Sequence, residues 1–303
     1  MHKTVVVTGC SSGFGRDVAE RMARRGDRVY ATMRDIDGKN AGVANGLRAL
    51  ASADGIDLRV LELDVCSTAS VDAAAATVLA ESGAPDVVIN NAGQMFMGFT
   101  EAFSCDELTR QLDVNVVGIH RVNRAFLPAM RARGRGLFIN LSSVAGRLSA
   151  PFFGVYHASK WALEGYSMAL RGELASSGVD VVVVEPGPFS TNLFPGSPRP
   201  ADADGRIGSY PSVAHEALAN LNGAFDGMFA DPGTPTDPTM VVDRMIELAD
   251  MPAGTRPFRS VVGVDVGVTA RNAAAEPFDA AVLAAFGMTS FATLGTGNAV
   301  AAA

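Results

Sequence analysis

One stretch of the sequence carries side chains with the types and spacing of an acid–base apparatus. These are the hydroxyl of Ser143, the phenol of Tyr156 and the amine of Lys160. If residues 155–177 form a helix, Tyr156 and Lys160 project from one face about one turn apart. A free phenol titrates near ~10, too high for proton exchange at neutral pH. Lowering it by ~3 units takes about 4 kcal/mol, roughly what one positive charge ~4 Å away supplies at an effective dielectric of ~20. The spacing therefore predicts a lysine-tuned tyrosine. Alone, the pair also fits an ordinary amphipathic helix with a half-buried tyrosine and a solvated lysine, so the surrounding elements must decide.

Residues 4–8 form a short β-branched apolar run, followed by Gly9-Cys-Ser11-Ser12-Gly13-Phe14-Gly15 and an amphipathic stretch over 16–25. Strand, glycine turn and helix in that order predict a dinucleotide-binding unit. The glycines allow close backbone approach, and the free N–H groups at the helix start attract a pyrophosphate. The second strand, 28–33, ends in Met33-Arg34-Asp35, where such a unit inspects the adenosine ribose. An acid there suits NAD, whereas an arginine accommodates the 2′-phosphate of NADP. With Met33 in the acid's place and Arg34 beside it, the pattern favours NADP(H); NAD(H) remains the alternative, as does a solvated Arg34–Asp35 surface pair.

Strands and helices continue to alternate. A helix is expected over 40–53, a strand over 57–63 ending at Asp64 and Val65, a helix over 68–81, and a strand over 85–90 opening into Asn91-Ala92-Gly93. This alternation predicts a doubly wound parallel sheet in three α/β/α layers, with the ligand at the strands' carboxyl ends. Asp64 is either part of that edge or a cap for the helix beginning at Thr68. A single long helix is expected over 105–131, with Leu108, Leu112, Val116 and Val117 as its apolar stripe. Asn115 interrupts that stripe and is either a structural bridge or part of a polar relay. The strand at 136–141 runs into Ser142 and Ser143, and 179–185 is a continuous apolar run fit for a strand covered on both faces. Pro186-Gly187-Pro188-Phe189-Ser190-Thr191 turns over the same edge. Residues 192–235, rich in Pro, Gly and Asp with a helical patch near 214–228, read as a ligand lid carrying Phe194, Met228 and Phe229. A helix over 238–250 and a strand over 260–263 close the sheet. The tail, about 286–303, reads as frayed, and 1–303 as one domain.

Composition narrows the function. With 48% hydrophobic and 19% charged residues and a formal charge of -7, the chain reads as a soluble globular protein, not a general nucleic-acid or anionic-membrane binder. Cys10, Cys66 and Cys105 form no CxxC pair and read as reduced thiols of a cytoplasmic protein. The four histidines show no metal-ligand spacing, so no metal is expected. Neither a signal peptide nor a membrane span is visible.

With these pieces in place, residues 3–265 resemble a short-chain dehydrogenase/reductase. TGxxxGxG is met by Thr8, Gly9, Gly13 and Gly15, NNAG by residues 90–93, YxxxK by Tyr156 and Lys160, and PGxxxT by Pro186, Gly187 and Thr191. The subgroup it most resembles contains 17β-hydroxysteroid and retinol dehydrogenases. The resemblance implies a Rossmann fold and reversible hydride transfer between a nicotinamide cofactor and a hydrophobic carbonyl–alcohol pair. It implies Ser143 as the hydrogen bond to the substrate oxygen, Tyr156 as the general acid/base, Lys160 as its partner and ribose ligand, and Asn115 as holder of a water. It also implies a homodimer or homotetramer through the helices at 105–131 and 155–177. Ser12 departs from the basic residue that NADP-preferring members often carry there. Met95, Phe96, Phe152 and Phe153, with Phe189 and Phe194, are the candidate apolar pocket residues for a steroid, retinoid or aryl ketone. The alternatives are an NAD-dependent alcohol dehydrogenase of the same family and a non-catalytic dinucleotide sensor.

Overall fold

The computed structural model describes residues 2–194 and 196–292. Its first half alternates β1 (Thr4–Val7), α1 (Gly13–Arg24), β2 (Arg28–Met33), α2 (Ala41–Asp54), β3 (Leu58–Glu62), α3 (Thr68–Ser82) and β4 (Val87–Asn90). Helices α4 (Cys105–Leu112) and α5 (Gly118–Arg133) follow, then β5 (Gly136–Leu141), α6 (Gly154–Glu173) and β6 (Val179–Pro186). The chain continues through α7 (Ala203–Arg206), α8 (Ser212–Ala230), α9 (Thr239–Asp250), β7 (Arg259–Val262) and α10 (Val268–Ala285).

The strands form one sheet in the order β3-β2-β1-β4-β5-β6-β7, and every neighbouring pair is parallel. Alternation along each strand sends side chains to opposite faces. Val5 and Val7 of β1 join Met22 of α1 and Met245 of α9 in one core, whereas Val6 joins Val71 of α3 and Phe126 of α5 in the other. Because both faces are covered, β6 can be buried along its whole length, which is why its sequence reads as a nearly unbroken valine run. The order reverses between β1 and β4, which opens a crevice at their carboxyl ends.

One helical expectation needs correction. The single helix over 105–131 is instead α4, a π-helical turn at Asp113–Val117, and α5. A capping box between Ser104 and Glu107 starts it. Its inward face is polar, built from Glu107, Gln111 and Asn115, while Leu108 and Val117 of the expected apolar stripe are exposed. Those three polar groups bind backbone of distant loops: Glu107 accepts from Ala201 N, and Gln111 and Asn115 both donate to the Gln94 carbonyl. α10, for which the sequence pattern predicts no element, continues the chain past β7 and passes through Pro277. The Asp265 carboxylate starts it by accepting from the amides of Gly267, Val268 and Thr269. Of the expected tail, Thr289–Phe291 forms a short 3-10 turn, and residues 293–303 lie outside the described residues.

An amide ladder ties the sheet to the helices beside the crevice. Asn90 and Asn140 are register partners on β4 and β5, and Asn90 Nδ2 donates to Asn140 Oδ1 (2.8 Å) and Asn123 Oδ1 (2.8 Å). Asn140 Nδ2 in turn donates to Ser167 Oγ on α6 (2.9 Å). Substituting Asn140→Ala leaves buried partners on both sides without their hydrogen bonds and is expected to lower unfolding free energy by roughly 2–4 kcal/mol. Urea denaturation checks this; an unchanged midpoint would remove the ladder from the stabilising interactions.

Candidate active site

The glycine turn and the loop after β4 interlock at the crevice. Gly9 sits at φ +75, and a Cβ there would stand 2.8 Å from Ala92 Cα. A Cβ on Gly15 would overlap the Asn91 side chain, so both positions need glycine for close approach rather than for the turn alone. Thr8 Oγ1 accepts from the amides of Asn91 (3.1 Å) and Ala92 (3.0 Å), and Asn91 Nδ2 returns a bond to the Thr8 carbonyl (2.9 Å). The result is a cradle whose floor is backbone, with Ser12 at the N-terminus of α1 making no side-chain cap. Its amides are left for an anion.

A cavity of about 760 Å³ runs from this cradle to α8. It brings together Gly9, Ser11, Ser12, Gly13 and Phe14 with Arg34, Asp64 and Val65. From the other side come Asn91, Ala92 and Gly93, then Pro186, Gly187, Phe189 and Thr191, with Ser143, Tyr156 and Lys160 between. Gly15 lies beneath the turn and does not line the cavity. Asp64 accepts from Cys66 N (2.9 Å), while Ser67 caps α3 by accepting from Ser70 N, so the capping alternative for Asp64 falls.

At the end of β2, Met33 and Arg34 face the cavity, joined by Lys39 and Asn40. Asp35 does not. It adopts φ +55, and its carboxylate accepts from Lys39 N (2.7 Å). Asn40 Nδ2 closes the turn onto the Arg34 carbonyl (2.6 Å).

Ser143, Tyr156 and Lys160 are nearly buried. Burial pushes the Tyr156 phenol up to about 12, against a lowering influence of the Ser143 hydroxyl. This departs from the lysine-tuned phenol the spacing predicts. Lys160 Nζ lies 5.7 Å from the Tyr156 ring centre and donates to the Leu141 carbonyl (2.8 Å). A charge at ~6 Å supplies about 3 kcal/mol at an effective dielectric of ~20, whereas full burial can shift a group by 3–5 units. Desolvation therefore wins. It also lowers Lys160 to about 8, with Glu164 one turn further along α6 opposing that shift.

Asn115 does not line the cavity. Its Oδ1 accepts from Gln94 N (3.0 Å), and its Nδ2 donates to the Gln94 carbonyl (2.9 Å) and to Ser159 Oγ on α6 (3.0 Å). Both amide protons are taken by protein, which fits the structural-bridge alternative.

The apolar end of the cavity is lined by Met95, Phe153 and Phe194 as expected, and by Leu193, Leu221, Phe225 and Met228 from the segment after β6. Phe96 and Phe152 fall outside. Phe96 stacks on Phe103 (5.6 Å) in a separate small core, and Phe152, at φ +70, turns its ring onto Phe99 (5.2 Å). Among the lining residues that the sequence does not single out are Lys39, Asn40, Leu148, His157, Leu221 and Phe225. For Leu221 and Phe225 a signal exists, since with Leu218, Met228 and Phe229 they recur at helical spacing.

Comparison with known proteins bears on this geometry. A family model described as short chain dehydrogenase matches residues 3–200. The 3-ketodihydrosphingosine reductase of Bacteroides thetaiotaomicron is 37% identical over 62% of this chain and 65% of its own length. For the human 17-beta-hydroxysteroid dehydrogenase type 1 the figures are 43%, 63% and 58%. The chain thus spans roughly three-fifths of these curated relatives. A short-chain dehydrogenase from Streptomyces avermitilis superposes with TM-score 0.69 at 32% identity, covering 96% of this chain and 98% of its own. One from Burkholderia phymatum, in complex with NAD, gives 0.71 at 26%, covering 92% and 94%. A model match over most of the chain, on a seven-stranded parallel sheet with the cradle and the Ser143–Lys160 stretch at its carboxyl edge, places this protein in the short-chain dehydrogenase family.

Proposed function

We propose that this chain is an NADPH-dependent reductase of a bulky apolar carbonyl compound, with Tyr156 as the proton donor. The observation that carries the reading is one continuous cavity joining the backbone cradle, Ser143 and Tyr156, and an apolar end. The bound nicotinamide supplies the hydride. Gly9, Gly13 and the start of α1 would hold its pyrophosphate, and Arg34 its 2′-phosphate, because the Asp35 carboxylate is turned away from the cavity onto Lys39 N. Ser143 hydrogen-bonds the substrate oxygen while Tyr156, protonated at neutral pH, delivers its proton there. Lys160 stabilises the phenolate that results and orients the cofactor ribose. Asn115 is a positioning residue that fixes α6 against the loop after β4.

Leu193, Phe194 and α8 cover the apolar end with half-buried side chains, which supports a lid over 192–235 within a single domain. Exposed Leu108 on α4 and Val117 in the π turn after it, with Trp161 and Met168 on α6, support association of two or four copies through those helices. Three free cysteines support a cytoplasmic protein; no described helix is long and apolar enough to cross a membrane. Ser12, in place of a second cation, favours the alternative that NAD(H) also serves.

Three outcomes test the proposal. Tyr156→Phe is expected to reduce kcat for NADPH-dependent ketone reduction by ~10² or more with cofactor affinity retained; near-normal turnover would exclude Tyr156 as the acid. Arg34→Ala is expected to weaken NADPH about tenfold and NADH little, as read by titration of nicotinamide fluorescence. Equal affinity of the parent protein for both would refute the assignment of Arg34. Reductive kcat/KM at saturating NADPH is expected to fall above about pH 8 as Lys160 loses its proton. Because the folded value lies below the unfolded ~10.5, the stability cost of Lys160 is present below pH 8 and is relieved as pH rises from 8 towards 10.5. The activity loss should therefore be reversible and unaccompanied by a fall in Tm; a flat profile to pH 10 would remove Lys160 from the step.

A further inference from the structure

His157 adjoins Tyr156 in the chain, lines the cavity and is 6% exposed, yet the chemistry above gives it no task. Its two ring nitrogens meet two backbone groups of the loop between β5 and α6. The Ala150 amide donates to Nε2 (3.0 Å), and Nδ1 faces the Ala145 carbonyl (2.8 Å). An amide N–H can only donate and a carbonyl only accept, so the partners assign the tautomer: the proton is on Nδ1 and the lone pair on Nε2. One turn along the same face, Trp161 Nε1 donates to the Leu148 carbonyl between those two anchor points (3.3 Å). The loop's far end is fixed by Gly98 N donating to the Phe152 carbonyl (2.7 Å), at a residue held in the left-handed region. Between these anchors, Leu148 and Ala150 form part of the cavity wall near Tyr156.

We propose that His157 is a positioning residue whose Nδ1–H imidazole staples Ala145 to Ala150 and thereby sets the wall that Leu148 and Ala150 present to the substrate. The loop from 145 to 150 has no sheet or long helix to satisfy its backbone, and apart from Ala145 and Gly146 it is half-buried or exposed. A single rigid ring bridging donor and acceptor fixes its shape with two χ angles. The Ser143 end of the loop is held independently, by Ser143 Oγ donating to the Pro186 carbonyl (3.2 Å) and accepting from Ala145 N (3.1 Å). Losing the staple therefore loosens the substrate wall while leaving the proton donor's hydroxyl partner and the cradle in place. The ring also meets the Phe153 ring edge-on (5.6 Å), so packing as well as hydrogen bonding passes through this residue. A variant that keeps the ring volume and removes only the nitrogens separates the two.

The inference rests on the carbonyl-reductase reading for its substrate arm, and its structural arm is independent of turnover. In the parent protein, nitrogen NMR of the ring should show a protonated Nδ1 and an unprotonated Nε2 for His157, and the Ala150 amide should be protected from hydrogen exchange. His157→Phe should speed Ala150 exchange about tenfold, the loss of one hydrogen bond. It should also raise KM for a bulky aryl ketone about tenfold, with kcat and the affinity for NADPH within threefold. His157→Gln, whose amide oxygen can accept from Ala150 N, should recover part of both effects. The opposite tautomer, unprotected Ala150, or a His157→Phe protein with unchanged KM would overturn the proposal. So would a parallel fall in kcat and NADPH affinity, which would mark a general structural role. Failure of the parent protein to oxidise NADPH with any carbonyl would strike the proposed reaction and with it the substrate wall, leaving the tautomer and exchange results to judge the staple.

Discussion

The bond from Lys160 Nζ to the Leu141 carbonyl is the constraint on which the site depends. It joins the second turn of α6 to the last residue of β5, so the helix that carries Tyr156 is referenced directly to the sheet edge. The ammonium is taken out of water for this, and lowering it from 10.5 to about 8 corresponds to on the order of 3 kcal/mol of disfavoured charge. A protein with marginal net stability tolerates such a group only where its surroundings hold it in place. Here they do so on three sides. The amide ladder fixes α6 to β4 and β5 through Ser167, Asn115 fixes it to the loop after β4 through Ser159, and β6 is buried along its length beside β5.

How much of this can be read from the sequence follows from where each feature's determinants lie. The strands of β1 and β6 are legible because burial on both faces demands unbroken β-branched runs, and the cradle is legible because Gly9 and Gly15 meet backbone and side chains at distances that tolerate no Cβ. The inward face of α4 and the π turn is not legible. Glu107, Gln111 and Asn115 are polar, and what they satisfy is backbone at Ala201 and Gln94, too far along the chain for periodicity to report. Likewise, Phe96 and Phe152 have the right composition for the pocket and sit next to residues that line it. Their directions are set by backbone angles and neighbouring rings, and the left-handed Phe152 is the clearest case. α10 is missed because its alanine-rich pattern carries a proline and little amphipathic contrast.

The lysine and tyrosine teach the same lesson in energetic form. Spacing alone gives the sign of their interaction and omits the medium in which it acts. The pair's burial raises the phenol and lowers the ammonium, opposite to what an ion pair in partial water would do. A phenol held protonated beside an ammonium poised near neutrality is suited to giving a proton and then being stabilised as its anion. The low dielectric that makes each charge costly alone strengthens their attraction once both exist.

The same distinction between global and local charge governs the other end of the cavity. A chain with a formal charge of -7 would repel a polyanion at long range, but at physiological salt that repulsion is screened beyond ~8 Å. What a bound phosphate meets is decided by the few groups within that radius. Asp35 follows the end of β2, Glu62 is the register partner of Met33, and backbone amides engage both. Glu62 accepts from Asp35 N (2.7 Å) and Ile36 N (2.9 Å), and Asp35 accepts from Lys39 N. The left-handed conformation of Asp35, which costs a non-glycine residue of order 1–3 kcal/mol, allows this turn to close. Its closure draws the carboxylates onto the backbone and leaves Arg34 and Lys39 on the cavity wall. The acidity of the protein as a whole therefore does not count against an anionic ligand at this place, because the turn directs the Asp35 and Glu62 carboxylates onto backbone amides and leaves two cations on the wall the ligand would touch.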